Sequence, residues 1–339
     1  MDVYCKDFLM QTADKAAPRT NRSAAYRNRF FISNKYKLCY AGVDKAANTG
    51  MKWWMAEIEG LVPEIEKAIQ DHLPGTGPKA IHSLFPMVAP HLVLDSFGRI
   101  RQIFDSKQFF CFTVVRNPFT RVFSAWADKI VAGTHIHTRK LLFDKDFYEK
   151  PVLTVKDASK SFEDFVLWLH HGAEHLRADR HWMPQFFLLR PDLLRYDFVG
   201  KLEQREELVQ RLSALVGGGC PGPLQGKRIF NKTRLSYHPD FFTEQARDMI
   251  SRLYADDFRA FGYDNVALPL AKAPLDTASV EKTMLTMFMK RAQSAHKKLA
   301  LLEKEKDELE TRPLAALRQL GKACTYPFRY SWSRLRHRI

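Results

Sequence analysis

Two short stretches carry residue types that hold anions. In the first, Asp44-Lys45-Ala46-Ala47-Asn48-Thr49-Gly50-Met51-Lys52, two lysines bracket a hydroxyl. Ala46, Ala47 and Gly50 are small enough for a phosphate to approach the backbone. Where such a stretch joins a strand to a helix, unpaired N–H groups and the positive helix end stabilise negative charge. Lys45 adds a point charge and Thr49 a donor hydroxyl. The triphosphate loop G-x-x-x-x-G-K-[ST] places its lysine last, beside the magnesium-holding hydroxyl. Here the lysine comes first, which suits an anion held without a metal. An ordinary strand–helix loop with exposed lysines has the same composition. In the second stretch Ser124 follows Arg116 by eight residues, about two helical turns. An arginine fork with a helix-borne hydroxyl suits a phosphate monoester. Alternatively, Arg116 pairs with an aspartate and Ser124 only packs. Two such turns in succession favour the anion reading.

These residues need a scaffold. Tyr36–Val43 (YKLCYAGV) reads as a buried strand, and the helical pattern after it puts Trp53, Trp54, Ile58, Leu61 and Ile65 on one face. Pro74–Pro78 ends that unit. Phe109–Val115 (FFCFTVV), then Arg116-Asn117-Pro118 and a helix carrying Val122, Phe123, Trp126 and Ile130, repeat the layout. Strand, polar turn and helix twice over predict a parallel sheet with crossover helices. Further helices are expected at Ser161–Gly172, capped by Ser161 with Asp164, at Glu203–Leu215 and at Thr243–Phe261. Asp197–Lys201 reads as a third strand and Gly217–Gly226 as a loop. Leu285, Phe288, Ala292, Ala295, Leu299, Leu302, Lys306 and Leu309 form a heptad seam with one lysine intruding, the pattern of a short coiled coil. Residues 312–339 hold seven Arg/Lys and no Asp or Glu, with Tyr326, Phe328, Tyr330 and Trp332 interleaved.

The 339 residues are 45% hydrophobic and 27% charged, which excludes disorder or a fibrous repeat over most of the chain. The formal surplus of +15 calls for an anionic partner: nucleic acid, a membrane surface, or a phosphorylated or sulfated molecule. The first 29 residues are polar and basic, with neither signal peptide nor anchor expected, and no apolar run is long enough to span a bilayer. Cys5, Cys39, Cys111, Cys220 and Cys324 are scattered, without the spacing of a zinc or redox motif, and reduced thiols in a cytoplasm are expected. No His/Cys or His/Glu spacing recommends a metal.

The motifs resemble those of carbohydrate sulfotransferases, the group acting on chondroitin, dermatan and related glycans. Lys45-Ala-Ala-Asn-Thr49-Gly-Met-Lys52 is similar to their 5′-phosphosulfate loop, and Val115-Arg116-Asn117-Pro118-Phe119-Thr120-Arg121-Val122-Phe123-Ser124-Ala125 to their 3′-phosphate motif. Arg180-His181-Trp182-Met183-Pro184-Gln185, Tyr196–Glu203 and Phe230-Asn231-Lys232-Thr233 follow in the family's order, so the likeness runs from Lys37 to Tyr263. Asp44 stands where proline is usual, and Asn117 where an acid is common. The resemblance, to a soluble, bacterial-like member, implies a P-loop-like parallel sheet flanked by helices. It also implies 3′-phosphoadenosine 5′-phosphosulfate as donor, no metal, and in-line transfer to a carbohydrate or glycolipid hydroxyl. On that reading Lys45, Ala46, Ala47, Asn48, Thr49, Gly50 and Lys52 cradle the 5′ end, Arg116 and Ser124 the 3′-phosphate, and Lys201 lies in the donor site. Lys45 also offsets charge on the leaving phosphate. A base must take the acceptor's proton. His82, in the region between the donor loops where the family often keeps it, is the first candidate, His91 the second and His181 the third.

The expected organisation is a polar segment at 1–29, the transferase domain at 30–265, a coiled-coil helix at 281–310 and a basic aromatic tail at 311–339. The coiled coil offers self-association, and the tail a peripheral contact to the inner face of a membrane. Two rival readings remain. One is a P-loop nucleoside or sugar kinase, against which the lysine is misplaced. The other is a nucleic-acid-binding protein, against which the basic residues fall in discrete turns rather than along a surface.

Overall fold

The computed structural model describes residues 28–73, 75–133, 141–142, 145–217, 222–224 and 234–311. The polar segment up to residue 27, the Phe230–Thr233 block, most of the Gly217–Gly226 loop, the basic tail, Cys5, Cys220 and Cys324 therefore lie outside the described residues. Among those described, five strands form one sheet: β1 (Phe30–Ser33), β2 (Leu38–Ala41), β3 (Val93–Leu94), β4 (Phe110–Val115) and β5 (Phe198–Lys201), in the order β3-β1-β2-β4-β5. β2, β4 and β5 run parallel, as expected from the repeated strand–turn–helix pattern. The expectation of an all-parallel sheet is corrected by β1, which pairs antiparallel with both β2 and β3. The reason is length. Only Asn34–Lys37 separates β1 from β2, enough for a hairpin and far short of a crossover, and Lys37 turns the chain with φ 52°.

All four residues of β2 are buried, hence its unbroken apolar run. Helix α1 (Asn48–Ile58) follows β2 and buries every residue except Glu57. Its Trp54 ring meets Phe112 of β4 edge-on at 6.2 Å, and a buried side chain of this size contributes on the order of 1.5–3 kcal/mol. Helices α2 (Val62–His72), α3 (Ile81–Val88) and α4 (Phe97–Ser106) contribute to the same core. A second apolar cluster gathers round α5 (Pro118–Trp126), whose Phe123 contacts the rings of Phe162, Phe241 and Phe242.

Two sequence expectations change here. The helix expected from Ser161 starts a turn and a half earlier, as α6 (Val155–His170), under a reciprocal cap made by Thr154 and Asp157. Ser161 is buried inside it, its hydroxyl donating to the Phe147 carbonyl and accepting from the Trp126 indole. After α7 (Arg205–Val216), the expected helix Thr243–Phe261 breaks at Tyr254 into α8 (Glu244–Leu253) and α9 (Ala255–Ala260). Cys39 and Cys111, far apart in sequence, are register partners across β2 and β4. Both are buried free thiols, and a hydrogen bond with Cys111, together with burial, pushes the Cys39 thiol up.

Helix α10 spans Thr277–Thr311. Met284 and Met287 join the second cluster. From Phe288 onward the helix is a unit by itself, and its heptad residues Leu299 and Leu302 are exposed, as is Leu285. No helix among the described residues is long and apolar enough to cross a membrane.

Candidate functional site

Because β2 and β4 are parallel neighbours, the turns that leave them lie side by side at one end of the sheet. The first turn is shaped by Gly42. Its N–H donates to the Arg29 carbonyl at 2.9 Å, and a Cβ there would meet Asn48 Oδ1 at 2.5 Å. Glycine thus lets the Asn48 amide fold over the turn and donate to Asp44 Oδ1 at 3.0 Å. Lys45 (φ 67°) and Ala47 (φ 59°) are left-handed, a conformation costing about 1–2 kcal/mol for a residue with a Cβ. The first helical bond of α1 runs from Met51 N–H to the Ala47 carbonyl at 3.1 Å. Asn48, Thr49 and Gly50 therefore stand at the helix start, where backbone donors lack helical acceptors.

Asp44, the residue in the family's proline position, has partners besides Asn48: Arg180 Nε stands 3.7 Å from its carboxylate. Burial alone would raise its pKa, but His181, Arg180, His82 and Lys52 outweigh burial and hold it well below the usual carboxylate range. Lys45 is ion-paired with Asp128. Asp128 sits in a π-helical turn, Ala127–Val131, that prolongs α5, and it also has Lys129 at 3.3 Å and Lys79 at 3.8 Å. Burial pulls Lys45 down to about 8 in spite of Asp128.

Farther along α1, Thr49 Oγ1 lies 2.8 Å from His82 Nε2, and Lys52 Nζ lies 3.1 Å from His82 Nδ1. Lys52 also donates to the Asn28 carbonyl at 3.1 Å. Burial brings Lys52 down to about 7. His82 is held down to about 3 by burial and by the Lys52 charge, so its ring is neutral at pH 7. An ammonium only donates. While Lys52 is protonated, Nδ1 of His82 is therefore the acceptor and the ring proton sits on Nε2, facing Thr49.

The second turn follows β4. Asn117 caps α5 by accepting the Phe119 N–H at 2.9 Å, with Pro118 opening the helix. Arg116 Nη1 donates to the Lys45 carbonyl at 3.3 Å and Nε to Thr120 Oγ1 at 3.0 Å. One guanidinium thus touches both turns. Burial lowers Arg116 to about 10, which leaves it cationic near neutrality. Ser124 is buried on α5. Lys201 is paired in register with Val115, next to Arg116, and its ammonium donates to the Gly262 carbonyl at 2.8 Å, over the Tyr263 ring.

Lys45, Thr49, Lys52, His82 and Arg116 are therefore brought together. His91 is not: it is exposed in the turn Pro90–Leu92 before β3. The β3–β1–β2 register puts it two strands away, toward the opposite end of the sheet from Ala41. His181 is close enough to Asp44 and His82 to bear on the charge of both. Several supporting residues escaped the sequence reading. Arg121 is almost fully buried and donates to the carbonyls of Asp44 at 3.0 Å, Met183 at 2.8 Å and Arg180 at 3.0 Å. Gln185 exchanges two bonds with the Arg116 backbone, 2.9 and 2.8 Å, and is itself held by buried Asp257. Asp128 has only one sequence signal, a single acid between Ala127 and Lys129. The array offers ammonium, guanidinium and helix-start donors to anions at two adjacent points. Among the described residues there is no cluster of acids, His or Cys that would hold a metal.

Comparison with known proteins bears on this arrangement. The sulfotransferase family model matches residues 28–264. The chain is 26% identical over 251 residues to carbohydrate sulfotransferase 10 of Pongo abelii, covering 70% of this chain and 67% of that protein. It is 28% identical over 262 residues to carbohydrate sulfotransferase 10 of Danio rerio, covering 72% and 68%. With carbohydrate sulfotransferase 12 of Mus musculus it shares 25% over 269 residues, covering 70% and 60%. No solved structure matches significantly. The family match spans both anion turns, the strands that carry them and the 180–185 segment, and the chain is an enzyme belonging to the sulfotransferase family.

Proposed function

We propose that this enzyme moves a sulfuryl group from 3′-phosphoadenosine 5′-phosphosulfate to a hydroxyl of a carbohydrate or of a carbohydrate-bearing lipid. The observation that carries this reading is the bond from Arg116 to the Lys45 carbonyl. It makes the two anion turns one continuous surface, as a nucleotide charged at both its 3′ and 5′ ends requires. The Gly42 cradle, the start of α1 and the cations Lys45 and Lys52 suit the phosphosulfate. Arg116, with Ser124 two turns along α5, suits the 3′-phosphate. The carbohydrate relatives support the acceptor class.

When bound, the donor supplies sulfur for attack: the acceptor oxygen forms the new O–S bond as the bond from sulfur to the 5′-phosphate breaks. The chain's part is to orient and to neutralise. Lys45 and Lys52 balance charge gathering on the leaving phosphate, the N–H groups of Asn48–Gly50 fix its direction, and the half-buried site strengthens each contact. A base removes the acceptor proton.

Calorimetry with adenosine 3′,5′-bisphosphate, with and without magnesium and beside ATP, tests the donor. The expected result is bisphosphate binding indifferent to magnesium, with ATP weak or inert. Transfer of labelled sulfate from the donor to a panel that includes desulfated chondroitin tests the reaction. Lys45→Ala and Arg116→Ala should nearly abolish transfer in folded protein. Activity within a few-fold of wild type for either refutes the site.

A further inference from the structure

We propose that Gln185, held in orientation by Asp257, aims the Arg116 guanidinium, and that this aim makes the enzyme select nucleotides carrying a 3′-phosphate. The proposal deepens the donor reading above and rests on it. The ladder of β4 stops at Val115, paired with Lys201 of β5. Arg116 is the first residue past it, and its backbone groups need partners that no strand supplies. One side chain serves both. Gln185 Oε1 accepts the Arg116 N–H at 2.9 Å, and Gln185 Nε2 donates to the Arg116 carbonyl at 2.8 Å. A glutamine amide, with one acceptor and two donor hydrogens, here takes the place of a neighbouring strand's peptide.

The amide has only one productive orientation, and Asp257 imposes it. Asp257, fully buried on α9, accepts the backbone N–H of Gln185 at 2.9 Å on Oδ2 and that of Phe186 at 2.7 Å on Oδ1. Oδ2 also faces Gln185 Nε2 at 3.3 Å. With both carboxyl oxygens accepting, the side of the amide toward Asp257 must donate. Its second hydrogen then falls to the Arg116 carbonyl, and Oε1 to the Arg116 N–H. A flipped amide would set oxygen against oxygen at two places. The next N–H along, that of Asn117, is taken by Glu203 Oε1 at 2.9 Å, so the turn is pinned at successive residues.

A backbone fixed in this way fixes the root of the Arg116 side chain. Two of its three nitrogens are spent on the protein: Nε donates to Thr120 Oγ1 at 3.0 Å and Nη1 to the Lys45 carbonyl at 3.3 Å. Thr120 is itself held, its hydroxyl donating to the Asn117 carbonyl at 3.1 Å. Among the described residues Nη2 has no acceptor, and it is the donor left for an anion. Gln185 touches no part of the first turn, so its influence falls on the 3′ end of the nucleotide and not on the 5′ end. It is a positioning residue.

Calorimetry compares adenosine 3′,5′-bisphosphate with adenosine 5′-monophosphate, which differ only in the 3′-phosphate. Wild type should prefer the bisphosphate. Gln185→Met keeps the volume without the hydrogen bonds, and Gln185→Glu puts an acceptor where Nε2 donates. Both should lower bisphosphate affinity by about ten- to a hundredfold while monophosphate affinity stays within about threefold, so the preference contracts. In Arg116→Ala no guanidinium remains to be aimed, and adding Gln185→Met should cost no further bisphosphate affinity. Asp257→Asn, which turns an acceptor into a donor facing the Gln185 amide, should contract the preference too, and it decides the matter if the Gln185 variants do not fold. Equal weakening of both nucleotides, an unchanged preference, or losses from Arg116→Ala and Gln185→Met that simply add overturn the proposal. Equal wild-type affinity for the two nucleotides overturns the 3′-phosphate placement and the proposal with it. Absence of bisphosphate binding by wild type overturns the sulfuryl-transfer reading itself.

Discussion

On the proposed donor site, affinity for the nucleotide should fall steeply as pH rises, because the two lysines assigned to its 5′ end are already close to losing their protons. Burial brings Lys45 to about 8 and Lys52 to about 7 in the nucleotide-free protein. A bound phosphate raises both, so the complex keeps protons that the free protein gives up. Binding is then strongest below pH 7 and is lost as pH rises. If both ammonium groups are required, affinity weakens by the product of two titrations, about 15-fold between pH 6.5 and 8 and about 800-fold by pH 9, or roughly 4 kcal/mol at 1.36 kcal/mol per pKa unit. The ligand does not produce this slope, since a phosphate ester has its second pKa near 6 and gaining that charge strengthens binding as pH rises. Arg116, at about 10, stays charged throughout. Calorimetric titration with adenosine 3′,5′-bisphosphate at fixed ionic strength measures the curve. Lys52→Ala should leave only the later titration, with about a twofold change from pH 6.5 to 8, and Lys45→Ala only the earlier, with about an eightfold change. A wild-type affinity constant within threefold from pH 6.5 to 9 refutes the reasoning.

The same lysines carry a stability prediction of opposite sign. Between pH 7 and 9 the unfolded chain, with ordinary lysines, binds more protons than the folded one, so the nucleotide-free protein should melt at higher temperature at pH 9 than at pH 7; a lower melting temperature at pH 9 contradicts the lysine burial. Arg121→Leu should cost about 3 kcal/mol or more, because three carbonyls lose a charged donor; a loss below 1 kcal/mol in urea unfolding would show the guanidinium to be dispensable. Gly42→Ala should displace the Asn48 amide from Asp44 and weaken bisphosphate binding about tenfold, whereas unchanged affinity would separate the Asn48 clasp from the donor turn.

Much of this was legible because local physics decided it. Strands β2 and β4 are buried on both faces and announce themselves as apolar runs, and the residues leaving them are small, basic or hydroxylated for reasons visible one position at a time. What stayed hidden depends on distance along the chain. The antiparallel β1 is four residues long, and only its pairing reveals it. Ser161 has the composition of a cap but is buried against Phe147 and Trp126, while Thr154 caps from just beyond the apolar pattern. Asp128 meets Lys45 across 83 positions from within a π-turn, and no period in the sequence reports that turn. Histidines illustrate the limit well: His82, His91 and His181 are equal as letters, and only their neighbours separate them.

The single guanidinium of Arg121 joins the Asp44 carbonyl of the first turn to the Arg180 and Met183 carbonyls, so these two segments are mechanically one piece. Swapping the 173–183 stretch for that of a relative therefore also pulls on the turn after β2, where the nucleotide is proposed to bind. Exchanges that keep the Arg180 and Met183 carbonyls in place should retain bisphosphate affinity, and those that shift either should lose it. A chimera with a displaced segment and an intact nucleotide affinity would show the two segments to be separable modules.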